Sequence, residues 1–258
     1  MRTATRMVVL RKFDTDAQAY ITAVETADGA ALERDVKTAI NNFVVGCKAD
    51  GIWSSIKASC ILAGARTLNG ALVPLVGTAG PTNFNFVSGD YNRKTGLVGD
   101  GSTKRLNSNR NCRTDPTDNC HLSVYATTIA ASSTTLGLIG GGTNLAKEIL
   151  FNSFVKIAVY LNSAGVITGI SGESTAGFKG ASRALSTSFI VRSVGSNTTV
   201  TINSSQPDNA NVFIFTRGGG SAYTNARLSF YSIGESLDLA LLDSRVTTLI
   251  NAYSTVIV

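Results

Sequence analysis

Histidine and proline are scarce in this chain of 258 residues, which has one histidine, His121, and four prolines. Catalysis by a nucleophile paired with histidine would have to use that single residue, and no G-x-S-x-G elbow accompanies it. Glycosidases need two carboxylates that address one bond. The nearest pair, Glu235 and Asp238, has a spacing that suits a helix N-terminus better. The residue inventory therefore favours a protein that is not an enzyme.

Phosphate loops, membrane spans and metal motifs are also missing. The glycine-rich run 137–144 lacks the G-K-[ST] of a phosphate loop, and no apolar run approaches the roughly 18 residues of a membrane span. Turn chemistry accounts for the neighbouring aspartates better than a calcium site does; they are Asp90, Asp100, Asp115 and Asp118. We expect no cofactor and no metal.

Cysteines are few, and the chain carries no recognisable secretion signal, because the apolar run at residues 7–10 is too short. Reduced thiols are therefore the expectation for the four cysteines; they are Cys47, Cys60, Cys112 and Cys120. Cys112 and Cys120 flank a short loop and could form a small staple, but their spacing matches no zinc pattern.

Positive charge is concentrated in the middle of the chain. Residues 65–230 hold 14 lysines and arginines against 7 aspartates and glutamates, and the whole chain carries a net charge of +6. A cluster interrupted only by Asp100 is the candidate contact patch: Arg93, Lys94, Lys104, Arg105, Arg110 and Arg113. Such a patch suits an anionic partner such as phosphate, an acidic glycan or an acidic protein, and it equally suits a solvated surface.

The N-terminal quarter predicts a basic arm followed by a small helical unit. Residues 1–13 form the arm, and residues 14–64 carry three apolar patterns at helical spacing. The first helix is expected to be capped by Asp14 or Asp16 and to stop at Gly29, the second to stop at Gly46, and the third to run from Ile52 towards Gly64. Residues 65–81 then form a linker with an apolar anchor. Trp53, at helical spacing, is expected in the core.

The remaining residues, 82–258, read as short alternating strands separated by Gly, Asn and Ser clusters, a pattern typical of a β-sandwich. The predicted strands are 83–87, 91–97, 121–127, 136–139, 149–160 with a break near 152–153, 178–183, 188–194 and 198–202. No helix is expected between them.

The closing stretch, 211–253, predicts two strands joined by glycines 218–220 as an antiparallel hairpin, followed by an amphipathic helix. Asp243 or Ser236 is available as the N-cap of this helix. Its apolar stripe is expected to lie on the preceding sheet; the stripe consists of Val246, Leu249, Ile250 and Tyr253.

This closing stretch resembles the end of concanavalin-A-like and laminin-G-like domains. The runs 96–108, around a D-G turn, and 121–128 resemble the opening strand pair and the next strand of that family, and 187–202 resembles its central hairpin. The resemblance implies a mainly β fold. It would be an antiparallel jelly-roll sandwich, preceded by the helical unit and closed by a C-terminal helix.

A second resemblance is to a module of tailed-bacteriophage virion proteins. It is carried by A-Y-I-T-A-V-E-T-A-D-G-A-A-L-E from Ala19, N-F-V-V-G-C-K-A-D-G-I-W from Asn42, I-L-A-G-A-R-T-L-N-G-A-L-V-P-L from Ile61 and F-V-S-G-D-Y-N-R-K-T-G-L-V-G-D-G-S-T-K from Phe86. It implies a non-enzymatic structural protein of the virion, either a capsid decoration or a tail appendage. The protein would be made in the host cytoplasm, with other virion proteins and copies of itself as partners.

A lectin-like adhesion module is the alternative hypothesis, in which loops of the sandwich bind a host-surface glycan. Aromatic side chains on loops would supply the contacts, and Tyr91 and Tyr223 are the best candidates. Neither hypothesis requires a membrane span or a specific nucleic acid.

Overall fold

A computed structural model describes residues 12–129, 136–142, 147–152, 156–163, 165–170, 175–218 and 220–257. The predicted basic arm therefore lies almost wholly outside the described residues. None of the described helices is long and apolar enough to cross a membrane.

The helices are α1 (Thr15–Asp28), α2 (Arg34–Ala49), α3 (Leu68–Ala71) and α4 (Leu239–Val256). The strands are β1 (Ile56–Ile61), β2 (Thr82–Phe84), β3 (Tyr91–Asn92), β4 (Gly96–Val98), β5 (Arg105–Asn111), β6 (Cys120–Thr128), β7 (Leu136–Gly141), β8 (Lys147–Asn152), β9 (Lys156–Leu161), β10 (Ile167–Ile170), β11 (Gly177–Leu185), β12 (Ser188–Ser193), β13 (Ser196–Thr201), β14 (Asn211–Ile214) and β15 (Arg227–Gly234). Short 3₁₀ turns precede β1 and β3.

The strands form two antiparallel sheets. In the first, which we call the helix-side sheet, the order is β13-β12-β11-β6-β15-β4-β3, and β1 also pairs with β15. The second, which we call the far sheet, has the order β10-β9-β8-β7-β14-β5-β2. The predicted fold class is confirmed: a mainly β sandwich with helices before it and at its end.

The helix-side sheet is buried on both faces. Its inner face contributes side chains such as Leu122 and Val124 to the core between the two sheets. Its outer face contributes Phe178 and Phe230 to a second core, which is shared with α1, α2 and α4 and which we call the helix-side core. The helices therefore form a third layer on the outer face of the helix-side sheet. They do not cover the outer face of the far sheet.

The prediction of a third helix is wrong, because residues 56–61 form β1 and pair with β15. Periodicity alone cannot assign a short apolar run to a strand or a helix. This run forms a strand because the edge of β15 is available for pairing. The prediction that Gly46 ends the second helix is also wrong. Gly46 lies inside α2, where a Cβ atom would come within 2.8 Å of the Arg245 guanidinium on α4.

The predicted hairpin of the closing stretch is wrong as well. Strand β14 pairs with β5 and β7 in the far sheet, whereas β15 pairs with β1, β4 and β6 in the helix-side sheet. Between them, Arg217 and Ser221 form only a small local bridge. Likewise β4 and β5, predicted as a pair around the D-G turn, lie in opposite sheets. Both connections cross from one sheet to the other.

Other predictions are confirmed. The hairpin at 187–202 is β12–β13, and β8 and β9 are separate antiparallel strands, although the turn at 153–155 lies outside the described residues. Asp14 caps α1, and Gly29 ends it with a φ of 64°. The division into arm, helical unit, linker and sandwich stays a prediction, although Leu75 of the predicted linker is buried in the helix-side core.

Helix α4 lies on the helix-side sheet with the predicted stripe buried, but neither Asp243 nor Ser236 caps it. The N-cap is Asp238, whose carboxylate accepts hydrogen bonds from the backbone N–H groups of Ala240 at 2.8 Å and Leu241 at 3.3 Å. Asp238, the second residue of the Glu235–Asp238 pair, thus caps the helix, as the spacing of the pair predicted. Glu235 instead pairs with Lys57 at 3.1 Å.

Removal of the cap should be measurable. We expect Asp238→Ala to lower the free energy of unfolding by about 1 kcal/mol, because two N–H groups of α4 lose their acceptor. Asp238→Asn keeps an acceptor oxygen and should stay within a few tenths of a kcal/mol of the wild type. Urea unfolding of the three proteins measures this, and equal stability of Asp238→Ala and wild type would refute the assigned cap.

Candidate functional site

An arginine surrounded by aromatic rings occupies the outer face of the far sheet. Arg105 on β5 and Phe84 on β2 are directly paired across the two strands. Phe213 on β14 is paired with Asn107. Because successive side chains alternate between faces, the burial of Leu106 in the core directs Arg105 outward. With Tyr223 from the loop before β15, these residues form what we call the Arg105 cluster: Phe84, Arg105, Phe213 and Tyr223.

The guanidinium of Arg105 is held by rings and by one hydroxyl group. Its central carbon lies 4.5 Å from the ring centroid of Phe84, 5.8 Å from that of Phe213 and 5.9 Å from that of Tyr223. Nη1 donates a hydrogen bond of 2.7 Å to the Tyr223 hydroxyl oxygen. All four side chains are half-buried. The rings and the hydroxyl therefore hold the guanidinium in place at a partly accessible surface.

The loop between β14 and β15 positions Tyr223. The backbone N–H of Arg217 donates to the carbonyl of Ser221 at 2.9 Å, which closes the turn. Gly220 has a φ of 78°, and a Cβ atom there would lie 3.1 Å from the Tyr223 hydroxyl. A glycine at this position thus satisfies the left-handed backbone and leaves room for the phenol.

Arg105 has no carboxylate partner among the described residues, which distinguishes it from its neighbours in the predicted basic patch. Arg93 forms a bidentate pair with Glu33 at 2.8 and 3.1 Å, and Lys104 pairs with Asp90 at 2.5 Å. A guanidinium without a carboxylate keeps its charge available to a ligand.

The predicted patch is not brought together as one surface. Arg93 faces the helices through Glu33, whereas Arg105 lies on the far sheet. At the other end of β5, Arg110 pairs with buried Asp115, and Arg113 donates to the carbonyl of Pro207 at 2.7 Å. Lys94 is half-buried in the β3–β4 turn. These cations serve different parts of the fold.

The two candidate tyrosines differ in the same way. The Tyr91 hydroxyl donates to the carbonyl of Ala65 at 2.7 Å, and burial raises the pKa of this phenol. Tyr91 packs against both cores, so its ring belongs to the interior. Tyr223 alone of the two is part of the aromatic surface.

Phe84 and Phe213 were not singled out by the sequence analysis. The signal for Phe213 was present, because Val212 and Ile214 flank it on the buried face of β14. Phe84 carried no comparable signal, since β2 has only three residues. Phe84 and Phe213 meet at Arg105 because β2, β5 and β14 are adjacent. The predicted hairpin instead placed β14 beside β15.

The single histidine is buried within the helix-side sheet. Its Nε2 lies 2.8 Å from the Ser232 hydroxyl, which is 2.9 Å from that of Ser123, and its Nδ1 lies 2.5 Å from the carbonyl oxygen of Glu235. Nδ1 therefore carries the proton, and Nε2 accepts from Ser232. Burial lowers the pKa of His121 to about 4. The ring is thus neutral and links β6 to β15.

The other groups considered for chemistry have structural surroundings. All four cysteines are buried. Asp100 accepts hydrogen bonds from the three backbone N–H groups of residues 102–104. Desolvation raises the pKa of Asp100, but the hydrogen bonds outweigh it, so the pKa is lowered. Trp53 is half-buried at the edge of the helix-side core and donates to Asp16 at 3.1 Å. Across the described part of the chain, no group of three or more His, Cys, Asp or Glu is placed to hold a metal ion.

Comparisons with known proteins identify a fold but no family. No family model matches the sequence, and no curated protein matches it either. Similar solved structures include a mutant Trypanosoma rangeli sialidase with trans-sialidase activity, at 12% identity and a TM-score of 0.50. That match covers 83% of this chain and 39% of the sialidase chain.

Two further structures are more distant. The binding domain of botulinum neurotoxin serotype D matches at 11% identity and a TM-score of 0.48, covering 75% of this chain and 51% of that one. The CBM40 of the Ruminococcus gnavus IT-sialidase, solved with α2,3-sialyllactose, matches at 10% identity and a TM-score of 0.39, covering 49% and 81%. At 12% identity, the likeness to the sialidase shows the β-sandwich fold and nothing finer.

The buried histidine predicts a pH dependence of stability. Its pKa is about 4 in the folded chain and about 6.5 when unfolded, so the unfolded state binds the proton first as the pH falls. The stabilisation is complete above pH 6.5 and is lost on acidification towards pH 4. Between pH 7 and pH 5 we expect a loss of about 2 kcal/mol, above the range where carboxylates titrate.

Urea unfolding of wild type and His121→Gln at both pH values measures this loss. The variant, which lacks the single histidine of the chain, should lose far less stability on acidification. An equal loss in the two proteins would contradict the assignment.

Proposed function

We propose that this chain is a non-catalytic glycan-binding module, and that the Arg105 cluster is its sugar contact. The observation that carries the proposal is a guanidinium with no carboxylate partner among the described residues, held between aromatic rings on an exposed sheet face. Rings offer a surface for the apolar faces of a sugar, and a guanidinium offers paired N–H donors for a carboxylate. The ligand class is therefore a glycan that carries a carboxylated sugar.

Within the cluster, the rings and the tyrosine hydroxyl hold Arg105, and its charge is available to the ligand. Phe84 is the ring nearest the guanidinium, and the Tyr223 hydroxyl oxygen accepts the hydrogen bond from Nη1. The remaining donors of Arg105 are left for the ligand. Asn107, half-buried in the row between Phe213 and Thr82, adds an amide on the same face. The side chains named in this cluster offer stacking surfaces and hydrogen-bonding groups and include no carboxylate.

The virion role implied by the second sequence resemblance, with its location and its virion partners, stays a prediction. None of the similar structures reported above is a virion protein. A glycan-binding surface on a β-sandwich accounts for the Arg105 cluster, whereas particle assembly does not require one.

The test is calorimetric titration with α2,3-sialyllactose and with lactose, which differ by the carboxylated sugar. We expect measurable binding of the first and none of the second, because the carboxylate pairs with Arg105. Arg105→Gln should weaken binding at least tenfold, consistent with the roughly 1.5–3 kcal/mol of a hydrogen bond to a charged group. Phe84→Ala should weaken it by a smaller factor.

Lys94→Gln is the matched control, since it removes a half-buried cation outside the cluster. Its affinity should equal that of the wild type. Binding of both sugars with equal affinity, or equal losses in Arg105→Gln and Lys94→Gln, would overturn the proposal. An array of carboxylated glycans extends the search if sialyllactose is not the preferred sugar, and no binding to any carboxylated glycan would also overturn it.

A further inference from the structure

The free edge of the helix-side sheet is unusual among the edges of this sandwich. Strand β13 ends that sheet with six residues, five of them exposed. At the other ends of the two strand orders the strands are shorter, since β3 has two residues, β2 three and β10 four. Strand β1, which pairs only with β15, also has six residues, but on its other side Ser59 exchanges backbone hydrogen bonds with Leu75 and Val76. Proteins protect long edge strands with charges, proline or bulges, because unpaired backbone groups recruit further strands. β13 has none of these, since it reads S-N-T-T-V-T and pairs with β12 in unbroken register.

The backbone of β13 presents a set of unused hydrogen-bonding groups. The N–H of Ile202 donates to the carbonyl of Thr187 on the β12 side. Because the ladder of an antiparallel pair alternates, Asn197, Thr199 and Thr201 turn their N–H and C=O groups away from β12. Among the described residues, these groups form no backbone hydrogen bond outside that ladder.

Apolar surface adjoins this edge. Leu185, Ile190 and Val194 are 61%, 39% and 56% exposed, and all lie on the two hairpins next to it. Beside the strand is a cleft of ≈ 380 Å³, whose lining includes Leu185, Phe189, Ile190, Leu237 and, from β13 itself, Thr199. The edge thus offers both hydrogen-bonding groups and apolar area.

The strand is also held in place. The fully buried Arg183 donates from Nη1 to the carbonyl of Ile202 at 3.2 Å and from Nε to that of Leu161 at 2.9 Å, which ties the end of β13 to the far sheet. An edge that is already ordered loses little conformational entropy when it pairs.

We propose that β13 is a homodimer interface, in which two copies pair their β13 strands antiparallel about a two-fold axis and extend the helix-side sheet across both chains. Charge favours a second copy as the occupant. The chain carries +6 overall, yet neither β13 nor the lining of the adjoining cleft contains a charged residue. Self-pairing therefore opposes no like charges, and it aligns threonines across the strands, a favourable pairing in sheets.

Sedimentation equilibrium of the full chain between about 1 and 100 µM tests the proposal. The expected species at high concentration has twice the mass of one 27.0 kDa chain. Thr199→Lys places a charge on the edge and should raise the dimer dissociation constant at least tenfold. Thr168→Lys is the matched control, because Thr168 is an exposed threonine on β10 of the far sheet, and it should leave the constant unchanged.

Hydrogen exchange at the two ends of that concentration range locates the interface without a variant. The amides of Asn197, Thr199 and Thr201 should exchange more slowly at high concentration, and those of β10 should not change. A monomer at every concentration, equal effects of the two lysine variants, or protection confined to other segments would each overturn the proposal.

Discussion

Burial of the helix-side sheet on both faces is the constraint on which the rest of the structure depends. Strand β15 pairs with β1, β4 and β6, and its side chains enter both cores. A sheet with two apolar faces requires two coverings, and here the far sheet provides one and the helices the other. The outer face of the far sheet is then not covered by the described helices. The position of the Arg105 cluster follows from this layering.

The same constraint explains which parts of the fold could be predicted from the sequence. Helices α1, α2 and α4 carry apolar residues at helical spacing, so the residues of their buried faces can be predicted without knowledge of the partner. The pairing partners of β14 and β15 are not predictable in this way, because an apolar strand does not specify its neighbour and the glycines between these two strands suggest a hairpin. Only the competition between two sheets decides where each strand lies.

The candidate site was predictable only in part. The sequence indicated Arg105 by its charge and Tyr223 by its predicted loop position, but it grouped Arg105 with Arg93 and Arg110. Arg93 pairs with Glu33, which is distant in sequence, and Arg110 pairs with Asp115, in the loop after β5. Neighbouring cations on the chain are therefore separated by their tertiary partners, and Arg105 is the one for which the described residues supply no carboxylate. Phe84 and Phe213 reach Arg105 through strand pairing, and Tyr223 reaches it from a loop.

The central claim is that ligand contact occurs on the outer face of the far sheet, since the helices close the other one. Mapping amide chemical-shift changes during addition of a carboxylated oligosaccharide tests this most directly. The account predicts that the largest changes fall at Phe84, Arg105, Asn107, Phe213 and Tyr223, with α2 and α4 unaffected. Changes centred on the helices or on the β3–β4 turn would contradict it.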